Sequence, residues 1–541
     1  MCADEMVDET ATGRRWTPWL VIGMTLAGAA LRIATIDTRS FWLDEATAVR
    51  QASWSIPEML AWMSNNVHPP LFHTLLHYWI AYFGRGEITV RAFALVWGIA
   101  AIPLMYWAAR EVYDRRVGLI ATAVLAISPF FIWYSQEARM YTMMLVFSLV
   151  CTGAMWRAVK DDRFGWWALY ALAAGAGLMT QYFFAFLIAG QGVYLLLYHL
   201  PRRERDLKAR GERRAAWTRP WGLAHDVPEM FAWVAALAVA SLPLVWWIPK
   251  VLSHPELFRG VSGAFNYGGA PPFLSIKFNE LILLPVQWAF GFHSELATRD
   301  LVAMWPLLIT FIFVSAGLAH RVSSRTWYLI ASGLGGTLMI AAIGQWQPIL
   351  DARYFTAVAV PVVILSARAI AGLKPSVLRA VTVVLLVVAV ASWADQSFNP
   401  DSIVKWDNRA AMGIVADGFR TGDTILLIPS FVSSIPEYYL PANAYATLRK
   451  VPSYDAKGLP RNSATQLAED LTRQIGPSGR VWVIATWQDT PRIELDRTMT
   501  TAWLVSQGFL QTQDDQLHRI RVTLFEAGPQ RRFFIGNGGT P

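Results

Sequence analysis

Apolar runs of about 20 residues recur along the first 395 positions of the chain and are absent from its C-terminal part. A helix of that length crosses about 30 Å of hydrocarbon. The stretch 164–200 carries no charged residue and is too long for one crossing, so it is divided at the "MTQY" sequence. The pattern predicts eleven membrane spans, at 16–36, 89–109, 117–135, 140–159, 164–180, 182–200, 229–248, 301–319, 327–345, 354–373 and 378–394.

Two shorter apolar stretches, 70–83 and 281–293, are below spanning length and are predicted to be helices in the membrane interface. Beyond the last span, strand-like runs such as "DTILLIP" alternate with helix-like runs such as "NSATQLAEDLTRQIG". The predicted fold class is a membrane all-α domain with about eleven transmembrane helices and interfacial helices in its first outer loop, followed by a soluble α/β domain. The predicted boundaries are 1–15 for a cytoplasmic tail, 16–394 for the membrane domain and 395–541 for the α/β domain.

The distribution of basic residues predicts the orientation of this multi-pass cell-membrane protein. Arginine and lysine collect in alternate loops, among them the basic segment "PRRERDLKARGERR". Cytoplasmic loops carry such an excess, so the N-terminus is predicted to be cytoplasmic. An odd number of spans then places the C-terminal domain outside the cytoplasm.

The composition of the chain excludes some classes of binding partner. The chain has 541 residues, of which 54% are hydrophobic and 16% charged, and its net charge is +8. Membrane topology accounts for the basic loops, so a nucleic-acid partner is not expected. The two cysteines indicate neither a disulfide framework nor a thiolate metal site. We therefore expect the lipid bilayer as a partner, with no metal and no cofactor.

Several polar side chains collect at the predicted outer face. Ionisable groups near hydrocarbon are costly to desolvate, so they usually pair with one another or line a wet cavity. A local ion pair or a loop cap would explain each residue singly, whereas their joint occurrence favours a site. The candidates are Asp44 and Glu45 in "FWLDEA", His68 in "NNVHPPLFH", Glu137 and Arg139 in "WYSQEARMY", and Arg353 and Tyr354 in "QPILDARYF".

These residue types suit the transfer of a group from a phosphate-linked donor to a hydroxyl. Asp44 and Glu45 are adjacent, so their side chains diverge by about 100° on a helix and only one can face a reacting atom. A carboxylate beside Phe41, Trp42 and Leu43 suits proton removal from a hydroxyl, and arginine binds phosphate bidentately. The chain has no glycine-rich nucleotide loop and no Asp-x-Asp motif. The predicted donor is therefore a polyprenyl-phosphate-linked sugar.

The motifs "WLDEA", "HPP", "SQEARMY" and "RYF" resemble those of the C-type membrane glycosyltransferases that use lipid-phosphate sugars. The similarity is greatest to the protein O-mannosyltransferase and aminoarabinose transferase branch, glycosyltransferase family 39-like. The resemblance implies that Asp44 is the catalytic base, that Glu45 supports it and that transfer inverts the anomeric carbon.

The same resemblance implies roles for the other candidates. His68 would shape the outer loop against the donor, while Arg139 and Arg353 would bind its phosphate; Glu137 and Tyr354 are further donor-binding candidates. The chain departs from the family where Phe72 and His73 follow Leu71, in place of the "GK" of the O-mannosyltransferases. The acceptor is left open between a glycan, a glycolipid and a protein.

Two other hypotheses remain. A lipid-linked sugar transporter or flippase would also need many spans, but it would more often carry internal repeats and charges at mid-membrane depth. A catalytically inactive scaffold for cell-envelope glycan assembly would have the same architecture. Replacing Asp44 by asparagine separates both from an enzyme.

Overall fold

The computed structural model describes residues 2–65, 68–161, 163–199, 228–253, 323–343, 352–398, 405–451, 464–475, 478–486 and 491–529. The chain divides into two compact units. The membrane unit comprises Met1–Ile36 and Trp54–Ser402, and the C-terminal unit comprises Asp37–Ser53 and Ile403–Pro541. The predicted elements 281–293 and 301–319, and the basic segment 202–219, lie outside the described residues.

The described part of the chain up to Phe398 is helical. One of these helices, Leu43–Ala52, belongs to the C-terminal unit, and the others belong to the membrane unit. In chain order they are α1 Cys2–Ala34, α2 Leu43–Ala52, α3 Ile56–Ser64, α4 Leu71–Phe83, α5 Glu87–Val112, α6 Arg115–Ile127, α7 Pro129–Ser135, α8 Tyr141–Asp161, α9 Phe164–Thr180, α10 Phe184–Tyr194, α11 Pro228–Leu252, α12 Ser324–Leu329, α13 Gly336–Ile343, α14 Thr356–Ala371 and α15 Pro375–Phe398.

Six stretches of helix within the described residues are long and apolar enough to cross a membrane. They are Arg15–Ala34, Glu87–Val112, Tyr141–Asp161, Glu229–Leu252, Arg353–Ala371 and Pro375–Phe398. Helices cover every predicted span that falls on described residues, and the short stretch 70–83 forms α4. The mainly helical, apolar architecture is confirmed, while the total of eleven spans stays a prediction.

One predicted span, 117–135, is broken. Helix α6 ends at Ile127, α7 begins at Pro129, and the two axes are bent by 60°. Proline disfavours helical backbone at the preceding residue, and Ser128 accordingly has an extended conformation with φ −62° and ψ 122°. The break directs the short helix α7 into the loop that carries Glu137 and Arg139.

The C-terminal unit contains the α/β alternation expected from the sequence. Besides α2, its elements are α16 Asn408–Gly418, β1 Thr424–Ile428, α17 Ser434–Tyr439, α18 Ala442–Ala446, β2 Leu448–Lys450, α19 Ala464–Ile475, β3 Arg480–Thr486, α20 Pro491–Ser506, β4 Phe509–Leu517 and β5 Ile520–Ala527. The five strands form one sheet in the order β2-β1-β3-β5-β4; β1 is parallel to β2 and β3, and β5 is antiparallel to β3 and β4.

The central strands β1 and β3 supply a hydrophobic core on each face of the sheet. Ile425 and Trp482 belong to one core, and Leu426 and Val483 belong to the other. Side chains alternate between the faces of a strand, so two buried faces require the continuous apolar runs "TILLI" and "VWVIA".

Helix α2 packs in the first of these cores through Ala46. The predicted boundaries assigned residues 37–53 to the membrane domain, whereas in the structure this segment is compact with residues from 403 onward. The apolar pattern of α2 does not distinguish a membrane surface from a sheet as its packing partner.

Candidate functional site

Two of the predicted site residues, Glu137 and Arg139, lie in the loop between α7 and α8. Helix α7 is buried along its whole length, and the loop that follows leads directly into α8. The Trp133 indole Nε1 donates a hydrogen bond to Glu137 Oε1 at 3.1 Å, and the backbone N–H of Arg139 donates to the Glu137 carbonyl at 2.7 Å. Both Glu137 and Arg139 are buried. The loop is thus folded back on α7, with its arginine held inside the membrane unit.

His68 lies against Arg139. Nη2 of Arg139 is 3.2 Å from Nε2 of His68. A guanidinium can only donate, so Nε2 accepts and the ring carries its proton on Nδ1. Burial, followed by the positive charges of Arg139 and then Arg353, holds the pKa of His68 well below its usual value of 6.5. His68 is therefore a neutral ring, with its Nδ1 buried and lacking a hydrogen-bond partner within the described chain.

Arg353 and Tyr354 lie in a 3₁₀ turn, Ala352–Phe355, just before α14. The Tyr354 ring stacks on Phe183, with centroids 4.9 Å apart and an interplanar angle of 8°. The guanidinium carbon of Arg353 lies 5.3 Å from the Tyr354 ring centroid. Tyr354 thus supports Arg353, whose charge acts on the same His68 ring as that of Arg139.

His73 belongs to the same cluster, although it was not among the site residues predicted from the sequence. It lies in the first turn of α4 and is fully buried. Neither ring nitrogen has a hydrogen-bond partner among the described residues. Burial, then the charge of Arg139 and then His68, holds the pKa of His73 well below 6.5. The departure from the family motif at Phe72 and His73 was the sequence signal that could have identified it.

We call His68, His73, Arg139 and Arg353 the basic cluster. It combines two guanidinium charges with two neutral imidazoles that interact with them electrostatically. Three buried ring nitrogens, Nδ1 of His68 and both nitrogens of His73, lack hydrogen-bond partners in the described structure. Buried polar atoms are normally satisfied, so the arrangement suits a ligand that brings anionic oxygen atoms.

The predicted acids lie in the first turn of α2, in the C-terminal unit. Asp44 is partly exposed, whereas Glu45 is fully buried. Oε2 of Glu45 lies 2.9 Å from Nζ of the buried Lys405, and the backbone N–H of Trp42 is 3.5 Å from the same oxygen. Glu45 therefore anchors the start of α2, and Asp44 is the acid with solvent access.

The membrane unit also has a cavity of about 500 Å³ between α3 and the end of α11. Its walls are mainly apolar, and Lys250 is the charged residue that lines it. The residues that line it are Ile56, Pro57, Leu60, Ala61, Ser64, Lys250 and Ser253. Over the described ranges, no group of three or more His, Cys, Asp or Glu side chains is arranged to hold a metal ion.

Comparison with known proteins gives a partial sequence match and a nearly complete structural one. Residues 67–210 match the family "dolichyl-phosphate-mannose-protein mannosyltransferase". A stretch of 191 residues is 29% identical to "undecaprenyl phosphate-alpha-4-amino-4-deoxy-L-arabinose arabinosyl transferase 1" of Pseudomonas fluorescens (strain Pf0-1), covering 31% of this chain and 32% of that protein. The chain thus matches about a third of the length of this relative.

Two solved structures share the fold. ArnT from Cupriavidus metallidurans, bound to undecaprenyl phosphate, superposes with a TM-score of 0.56 at 15% identity, covering 94% of this chain and 98% of that one. The archaeal oligosaccharyltransferase AglB from Archaeoglobus fulgidus, in complex with an inhibitory peptide and a dolichol-phosphate, gives 0.50 at 14% identity, covering 92% and 73%. Together, these matches confirm the resemblance to the polyprenyl-phosphate-dependent glycosyltransferases that was predicted from the sequence.

Proposed function

We propose that this chain, which resembles the polyprenyl-phosphate-dependent membrane glycosyltransferases, is itself an inverting glycosyltransferase. It moves a sugar from a polyprenyl-phosphate-linked donor to an acceptor hydroxyl at the outer face of the cell membrane. The observation that carries the proposal is the basic cluster, in which two arginine charges accompany buried imidazole nitrogens that lack partners in the described structure. The sequence match to lipid-phosphate-sugar transferases supports the same class of donor.

The basic cluster has the chemistry of a phosphate site. The Arg139 and Arg353 guanidiniums donate charge-assisted hydrogen bonds to phosphate oxygens, and the Nδ1–H of His68 adds a neutral donor. As the bond from the anomeric carbon to the phosphate oxygen breaks, negative charge grows on that oxygen. Fixed positive charge in a poorly solvated place stabilises the leaving group at that moment.

Asp44 is the proposed base. Its carboxylate takes the proton from the acceptor hydroxyl, and the acceptor oxygen forms a bond to the anomeric carbon while the phosphate departs with the bonding electron pair. A single displacement inverts the anomeric carbon and forms no covalent sugar intermediate. Glu45 supports the base indirectly, because its contact with Lys405 fixes the first turn of α2.

Binding of undecaprenyl phosphate to the full-length protein in lipid nanodiscs tests the role of the basic cluster. We expect Arg139→Ala and Arg353→Ala each to weaken binding by about ten- to 100-fold, because a hydrogen bond to a charged group contributes about 1.5–3 kcal/mol. The matched control is Arg157→Ala, which removes a guanidinium that pairs with Glu111 at 3.0 Å and Asp161 at 2.7 Å. Unchanged binding by both cluster variants would exclude this phosphate site.

His73 provides a second test of the same site. His73→Leu keeps a side chain of similar volume but removes both ring nitrogens, so we expect weaker binding of undecaprenyl phosphate without weaker binding of undecaprenol. His73→Asn, which restores a donor and an acceptor, should recover part of the affinity. Equal loss for the phosphorylated and unphosphorylated lipids would show that His73 serves packing alone.

A transporter and an inactive scaffold are the alternatives, and transfer assays separate them from an enzyme. Undecaprenyl-phosphate mannose and undecaprenyl-phosphate aminoarabinose are suitable donor probes, with native membranes as the source of acceptors. An enzyme releases undecaprenyl phosphate and labels an acceptor. A flippase would instead move the intact donor between leaflets without releasing it.

A further inference from the structure

Arg32, in the last turn of α1, makes four hydrogen bonds, although it lies in an apolar span and is fully buried. Nη1 donates to the carbonyls of Gly28 at 2.9 Å and Ala126 at 2.8 Å, and Nη2 donates to that of Leu125 at 3.1 Å. Nε donates to Ser135 Oγ at 3.1 Å. Arg32 thus joins α1 to the end of α6 and to the end of α7.

The break between α6 and α7 removes a helical hydrogen-bond donor, and the bonds from Arg32 compensate for it. In a continuous helix the N–H of residue 129 would bond to the carbonyl of Leu125, but Pro129 has no N–H. The guanidinium of Arg32 supplies donors to Leu125 and Ala126 instead. A positive charge at this point also complements the carboxyl end of the α6 dipole.

Gln136 attaches the other end of α7 to the same part of α1. Its Nε2 donates to the backbone carbonyl of Arg32 and to Thr35 Oγ1, both at 2.6 Å. Gln136 and Thr35 are both buried. We call the bonds made by Arg32 and Gln136 the α1–α7 clasp. Arg139 follows three residues after Gln136, and its backbone N–H is fixed to the Glu137 carbonyl.

We propose that Arg32 and Gln136 are positioning residues that hold Arg139 in place for the phosphate of the lipid donor. This inference rests on the proposed function of the basic cluster. Arg139 lies in a short loop, so a shift of Gln136 moves the guanidinium away from His68. The clasp fixes that loop to the first span, whereas bonds within the loop alone would leave it free to move as a unit with α7.

A double-mutant cycle on undecaprenyl phosphate binding tests the proposal in the full-length protein in nanodiscs. We expect Arg32→Gln to weaken binding about tenfold, and Arg139→Ala to weaken it at least as much. If Arg32 acts through Arg139, the double variant binds as Arg139→Ala alone does, within about twofold. Binding of undecaprenol, which lacks the phosphate, should be the same in all four proteins.

Arg91→Gln is the matched control. Arg91 is also a buried arginine of the membrane unit; Nη1 donates to the Ile36 carbonyl at 3.0 Å and lies 3.9 Å from Oε2 of Glu87. We expect Arg91→Gln to bind undecaprenyl phosphate as the wild type does. A loss equal to that of Arg32→Gln would show general destabilisation and overturn the proposal.

The remaining outcomes are also decisive. Losses that multiply in the double variant would show that Arg32 acts independently of Arg139, which overturns the clasp while leaving the phosphate site intact. Normal binding by Arg139→Ala would contradict both the clasp and the role of Arg139 in the proposed function. If Arg32→Gln cannot be recovered folded, Gln136→Leu breaks the second attachment and enters the same cycle with the same expected non-additivity.

Discussion

Nζ of Lys405 lies 2.9 Å from Oε2 of Glu45, and both side chains are buried. The pair joins the first turn of α2 to a residue 360 positions later in the chain. Of the two adjacent acids, Glu45 is buried and committed to an ion pair, whereas Asp44 is partly exposed. We therefore expect substitution of Glu45 to change stability and substitution of Asp44 to change catalysis.

Removing one member of the buried pair should destabilise the protein. Glu45→Gln removes the negative charge 2.9 Å from the Lys405 ammonium, and breaking a buried pair costs about 3–5 kcal/mol. Denaturant unfolding of the full-length protein measures the loss. The double variant Glu45→Met with Lys405→Met should recover much of it, since an apolar pair of similar volume needs no ion pairing.

An exposed pair in the same unit is the control. Nη2 of Arg409 is 2.8 Å from Oδ1 of Asp37, with 43% and 54% of the two side chains exposed. Asp37→Asn should cost no more than about 1 kcal/mol, as is usual for surface ion pairs. Equal losses for Asp37→Asn and Glu45→Gln would contradict the role assigned to burial.

The neutral histidines predict a pH dependence of stability. The pKa values of His68 and His73 are well below 6.5 in the folded protein, and both return to about 6.5 on unfolding. Between the folded and unfolded values the unfolded state binds more protons, so the free energy of unfolding falls as the pH drops below about 6.5. Thermal unfolding of the wild type between pH 7.5 and 5 measures this slope.

His73→Leu removes one of these titrations. We expect its melting temperature to change less than that of the wild type across the same pH range, whatever its value at pH 7.5. A slope identical to that of the wild type would indicate that His73 does not titrate on unfolding.

The close approach of α5 to α7 gives a third prediction. A Cβ at Gly98 would collide with the Ser135 side chain, which accepts a hydrogen bond from Arg32. Gly98→Ala should therefore destabilise the protein by about 1–3 kcal/mol through overpacking. On α1, a Cβ at Gly23 would contact nothing within 4 Å, so Gly23→Ala should be neutral or slightly stabilising. Thermal unfolding measures the stability of both variants. Similar losses of stability for Gly98→Ala and Gly23→Ala would contradict the predicted contact.

Sequence patterns predicted local features well. The length of apolar runs predicted the helices of the membrane unit. The joint occurrence of polar residues at the predicted outer face selected His68, Arg139 and Arg353, and in the structure both arginines act electrostatically on His68. Both signals are local, because a span and a loop motif are each defined by a few neighbouring residues.

Features that depend on distant partners were not predicted. Nothing in "FWLDEA" identifies Lys405 as the partner of Glu45, and the apolar positions of α2 fit a sheet as well as a membrane. The proline at 129 interrupts a run that is apolar throughout, so hydropathy alone gave one straight span. His73 was identified only when its burial and unpaired ring nitrogens were known.

The central claim is that Asp44 is the base of a sugar transfer from a polyprenyl phosphate. Asp44→Asn keeps the shape of the side chain but removes its basicity. The direct measurement compares release of undecaprenyl phosphate from the donor probes by wild type and variant, with undecaprenyl phosphate binding as the control for folding. We expect the variant to bind the lipid normally and to lose transfer by about 100-fold or more; transfer at the wild-type rate would contradict the claim.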